Sequence, residues 1–92
     1  MAGKGTAVIN FGSTPVAEKQ FTITDALITS PTMIVEAFVQ IFATGDNDTS
    51  SHRHAAASWK LVTESGTGSF LLDVTCLMDL CHGTFNIQYA YA

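Results

Sequence analysis

Positive charge is scarce in this sequence. Of 92 residues only Lys4, Lys19, Arg53 and Lys60 are cationic, against eight acids, for a net charge of −4. Four scattered cations cannot neutralise the phosphates that nucleic-acid binding requires, so no nucleic-acid partner is expected. Attachment to an anionic membrane surface fails on the same count. Charge of either sign is thin, at 13% of residues against a usual share of about 25%. Long apolar runs are also missing, and nothing approaches the ~20 residues of a membrane-spanning helix. Met1–Thr6 has no apolar signal-peptide core, so synthesis in a cytosol is expected. Cysteine is limited to Cys76 and Cys81, which in a reducing compartment are expected to remain thiols. Helix-forming runs of Ala, Leu, Glu and Lys at a helical period are lacking too. The one short helix candidate begins at Asp25–Ile28 and is cut by Pro31.

What is present is β-forming. Hydrophobic residues make up 47% of the chain, which excludes disorder, and twelve residues are Thr. Between Gly, Pro, Asp, Asn and Ser breaks lie six expected strands: Thr6–Phe11, Glu18–Thr24, Thr32–Ala43, Ala56–Thr63, Ser69–Met78 and Thr84–Tyr91. The last alternates most cleanly, with Phe85, Ile87, Tyr89 and Tyr91 against Asn86, Gln88 and Ala90. In the fifth, Phe70, Leu72, Val74, Cys76 and Met78 are expected inward. Gly66-Thr67-Gly68 reads as a hairpin turn rather than a phosphate loop. The expected fold is all-β: a single-domain small antiparallel β-sandwich, jelly-roll-like, of six to seven strands.

The third strand is apolar on both faces. Met33, Val35, Ala37, Val39 and Ile41 suit the core. Ile34, Glu36, Phe38, Gln40 and Phe42 form the other face, where two phenylalanines are ill suited to open water. That face fits contact with a neighbouring copy, so Ile34, Phe38 and Phe42 are the expected oligomer interface.

The polar segment Thr44–His54 carries Asp46, Asp48, His52, Arg53 and His54. Its plainer reading is a solvated hairpin tip. The sharper one is a ligand or metal loop using Asp46, Asp48, His52 and His54, although the spacing is not that of an EF-hand. Trp59, Tyr89 and Tyr91 offer stacking faces for a sugar, or else fill the core. Three further readings find no support in the spacing. Glu36, Glu64, Asp73 and Asp79 lie on different elements and imply no acid–base pair. No serine sits in a nucleophile elbow. Cys76, Cys81 and His82 supply too few ligands, at the wrong spacing, for a zinc finger. No catalytic residue and no cofactor is expected.

A resemblance adds to this. The strand Val35-Glu36-Ala37-Phe38, the acidic loop ending in His52-Arg53, the stretch Ala55–Leu61, the turn Gly66-Thr67-Gly68-Ser69-Phe70 and the closing run Gly83–Tyr89 together resemble a group of small tailed-bacteriophage proteins. In those, a "VEA" strand precedes a D-x-x-x-x-H-R loop, and a "GTGF" turn precedes the next strand. Here Ser69 interrupts the last motif. The likeness runs from Thr32 onward and brings no catalytic residues. It implies a virion component made in the host cytoplasm: a capsid decoration protein, or a tail fibre, neck or baseplate subunit. Its partners would be other virion proteins and copies of itself, as a homotrimer. In size and architecture the chain is also similar to H-type lectin domains, which implies a glycan-binding module.

Overall fold

The computed structural model describes residues 3–92. Six strands and one helix follow in the order β1 (Gly3–Asn10), β2 (Glu18–Thr24), β3 (Val35–Val39), α1 (Thr49–Ser58), β4 (Trp59–Ser65), β5 (Ser69–Cys76) and β6 (Thr84–Tyr91). They form two three-stranded antiparallel sheets, β1-β6-β3 and β2-β5-β4. The chain therefore wraps as one long hairpin folded on itself. β1 pairs with β6, β2 pairs with β5, and β3 abuts β4 where the two sheets meet. This is a six-stranded jelly-roll-like sandwich. Its accessible surface is 5249 Å², against about 5,200 Å² for a monomeric globular protein of this mass. The fold closes its own core without borrowing an element from a partner.

That core is the set of inward side chains dictated by alternation. Ile9, Ile23, Val35, Val39, Phe70, Leu72, Val74, Phe85, Ile87, Tyr89 and Tyr91 are all buried. Phe11, just past β1, packs edge-on against Phe21, Trp59 and Phe85. Gly66-Thr67-Gly68 forms the expected β4–β5 turn, with the Gly66 N–H donating to the Ser69 carbonyl at 3.0 Å. Gly68 has φ +77°, a conformation that glycine adopts without the Cβ penalty.

Four expected boundaries are corrected. The third strand is not Thr32–Ala43 but only Val35–Val39. The ladder with β6 ends where the Gln40 N–H reaches the Asn86 carbonyl, and a tight turn from Gln40 to Phe42 then takes the chain away. Ile41, expected in the core, is exposed as a result. The segment Thr44–His54 is not a hairpin tip. Its second half begins helix α1, which also takes Ala56–Ser58 from the expected fourth strand. The fifth strand stops at Cys76, and Met78 points outward at 74% exposure. The first strand begins earlier, at Gly3, and ends before Phe11, which is buried nonetheless. At Asp25–Ile28 there is a turn, with the Leu27 N–H on the Asp25 carboxylate and the Ile28 N–H on the Asp25 carbonyl.

Candidate functional site

The segment proposed as a ligand loop is bonded inward. β3 is three residues shorter than β6, so β6 outruns it at Thr84 and Asn86. The backbone groups there that face β3's side need other partners. Side chains of residues 44–52 supply them. Thr44 Oγ1 donates to the Thr84 carbonyl at 2.9 Å, and Asn47 Nδ2 donates to the same oxygen at 3.0 Å. Asp46 accepts from the Thr84 N–H at 3.1 Å and from the Thr84 hydroxyl. These bonds, first of all the one from the Thr84 hydroxyl, hold the Asp46 carboxyl below its usual range. Gly83 turns beneath this clamp with φ +75°, and a Cβ there would strike the Asp46 carboxylate.

Asp48 caps α1. Its carboxylate accepts from the Ser51 N–H at 2.7 Å, the ordinary work of an N-cap residue, and this bond lowers its pKa. His52 is 0% exposed. Its Nε2 accepts the Asn86 N–H at 3.0 Å, which leaves Nδ1 to carry the proton and donate to the Asp48 carbonyl at 2.8 Å. The imidazole occupies the ladder position that the next carbonyl of β3 would have filled. Its ring lies 4.9 Å from that of Phe85. His54, two positions on, points the opposite way and meets Asp79 at 3.0 Å on the surface. The four residues expected to share a ligand are thus split. Asp46, Asp48 and His52 each have a structural partner, the two carboxylates exposed and His52 buried, and His54 is paired with Asp79 on the surface. No group of three metal-ligating side chains occurs among the described residues.

The aromatic trio is likewise divided. Tyr89 and Tyr91 are each 6% exposed, so they form no open stacking platform. Their rings lie over Gly5 and Gly3 of β1, filling the space that a Cβ would take. Tyr89 also donates to the Asp25 carboxylate at 2.6 Å. Burial first, and this bond second, push its phenol up to about 12. Trp59 is half-buried and lines a cleft of about 490 Å³ between α1 and the 79–82 turn. Phe85 shares the cleft floor, and Asp48, Ser51, His54, Asp79 and His82 stand on its walls. Sequence reasoning missed this cleft, because its walls come from segments about 25 residues apart that only the fold brings together.

Ile34, Phe38 and Phe42 are exposed at 62%, 46% and 64%. Phe38 belongs to the outer face of the β1-β6-β3 sheet, opposite Gln88. On that same face Val8 of β1 is also exposed, opposite Asn86. Among the described residues, only the side chains of Lys4 and Glu36 bring charge to its strands, one on either side of Ala90. The other carboxylates do not converge: Glu64 and Asp73 lie on the opposite sheet, and Asp79 is held by His54. Comparison with protein-family models, with curated proteins and with solved structures gives no match, so the likeness to phage proteins rests on the residues quoted for it alone.

Proposed function

We propose that this chain is a non-enzymatic structural subunit of a tailed-phage particle, a capsid decoration protein or a tail appendage, which packs against copies of itself as a trimer. One observation carries the self-packing: the outer face of the β1-β6-β3 sheet and the chain flanking β3 expose Ile34, Phe38, Phe42 and Val8 together. At about 25 cal/mol per Å², four such side chains form a worthwhile contact if a partner covers them. The virion setting comes from the resemblance of residues 32–89. The jelly-roll-like wrap is compatible with it, since capsid domains use such folds, but a fold alone does not name a function.

The test is the absolute mass in solution by light scattering. A trimer that F38D or F42D reduces to monomers supports the reading. Both variants keeping the wild-type mass would remove this face from the assembly.

A second reading, a glycan-binding module, is favoured by one feature. Trp59 lines a cleft with Asp48 and Asp79, an aromatic surface beside carboxylates able to accept from sugar hydroxyls. It proceeds without Tyr89 and Tyr91. A glycan array that stays blank at high protein concentration would count against it.

A further inference from the structure

The β5–β6 connection begins and nearly ends with cysteine. Cys76 closes β5, and Cys81 forms an isolated bridge with Val16. Both are anchored to one short piece of chain. The Cys76 N–H donates to the Ala17 carbonyl at 2.7 Å, and Cys81 exchanges both backbone bonds with Val16 at 2.9 Å. The two sulfurs thereby meet at 2.7 Å as free thiols. Trp59 Nε1–H donates to Cys81 Sγ at 3.1 Å and holds it in place. Between the cysteines the chain presents Leu77, Met78 and Leu80, all exposed.

We propose that Cys76 and Cys81 form an intramolecular disulfide within the native fold when the chain meets a small-molecule disulfide such as oxidised glutathione. Reaching the ~2.05 Å bond length needs only small side-chain rotations, since the backbone already sets both cysteines against Val16-Ala17. Cys76 is the more exposed thiol and reacts first. Its thiolate attacks the small disulfide and expels one small thiolate, leaving a mixed disulfide. The Cys81 thiolate then attacks Cys76 Sγ and expels the second. Two protein thiols are oxidised, one S–S bond breaks and one forms, and two molecules of small thiol leave. Burial, and next the hydrogen bond to Cys81, push the Cys76 thiol up to about 12. The reaction is therefore slow at neutral pH and quickens with alkalinity, as thiolate attack requires. The product pins the apolar tip Leu77–Leu80 and the wall of the Trp59 cleft.

The test incubates the intact native chain with excess oxidised glutathione at mildly alkaline pH. The expected product has lost two hydrogens by intact mass, carries no glutathione and has no titratable thiol. Trp59 is the only tryptophan, so its emission should fall as the neighbouring disulfide forms and recover with dithiothreitol. The oxidised chain should melt about 5–10 °C above the reduced one, the scale expected for a short closed loop. C76S should show neither the emission change nor the gain in melting temperature. Persistent free thiols, stable glutathione adducts or chain-to-chain disulfides would overturn the proposal. So would an intramolecular bond that appears only in denaturant, or an oxidised chain that melts below the reduced one.

Discussion

β6 has two flanks, and they are held by different means. On one side β1 runs beside it for its whole length, Gly3 opposite Tyr91 to Asn10 opposite Thr84, and the backbone supplies the partners. On the other side β3 reaches only from Val35 to Val39. Beyond that point Thr44, Asp46, Asn47 and His52 stand in for the missing strand, side chain by side chain. A backbone ladder tolerates many sequences, because every residue carries the same donor and acceptor. A ladder made from side chains depends on each residue's chemistry. Within the polar segment Thr44–His54, Thr44, Asp46, Asn47 and His52 are bonded to the strand beside them, and Asp48 caps α1.

The comparison is broken most severely at His52. H52A leaves the buried Asn86 N–H without an acceptor and opens a ring-sized cavity beside Phe85, for an expected loss of about 3–4 kcal/mol in unfolding free energy. H52Q, whose side-chain oxygen can accept the same N–H, should lose less. Chemical denaturation of both variants checks this, and equal losses would mean that the ring's volume matters and its nitrogen does not. The backbone-held flank is broken at Gly5, where a methyl group would strike the Tyr89 ring. G5A should cost about 1–3 kcal/mol, the range for overpacking a core. It should also displace the Tyr89 hydroxyl from Asp25.

The smallest effect is a pH dependence that separates the flanks. In the folded chain the Tyr89 phenol is raised from 10.0 to about 12. Its contribution is complete below 10 and disappears as pH rises through about 12. On the acid side Asp25 is lowered, first by Tyr89 and then by the Leu27 N–H, and Asp46 and Asp48 are lowered by their own donors. Their contribution is complete above the ordinary value of 3.8 and is lost as pH falls through the lower folded values. Phenolate absorbance followed against pH should show Tyr89 titrating late in the wild type, and this late step should be lost in G5A. A late tyrosine that survives in G5A would mean that Tyr89 keeps its burial and its bond to Asp25 when Gly5 is replaced.

Much of the sandwich was legible because strand patterning is local. β2 and β6 lie at their expected limits, and the inward sets Phe70-Leu72-Val74 and Phe85-Ile87-Tyr89-Tyr91 are buried as alternation required. The helix was not legible. Thr49–Ser58 has no strong apolar face, and two of the three alanines near its C-terminal end, Ala56 and Ala57, fall within the expected strand Ala56–Thr63. Asp48 ahead of Thr49 was the available signal, an N-cap residue followed within ten positions by Arg53 and three alanines.

Local patterning is enough to say which residues alternate, which face of β3 is core and which carries Phe38, and where the β4–β5 chain reverses. Those follow from side-chain period and from glycine's backbone freedom, both properties of adjacent residues. The wrap of the two sheets sets the rest: His52 completes a ladder 34 positions away, Tyr89 lies over Gly5, and Cys76 and Cys81 face one another beside Trp59. The first two, and the contact of Trp59 with Cys81, are pairings between distant segments. Which donor meets which acceptor is set by how the sheets wrap and where one strand outruns its neighbour, and neither is written in any local stretch of the chain.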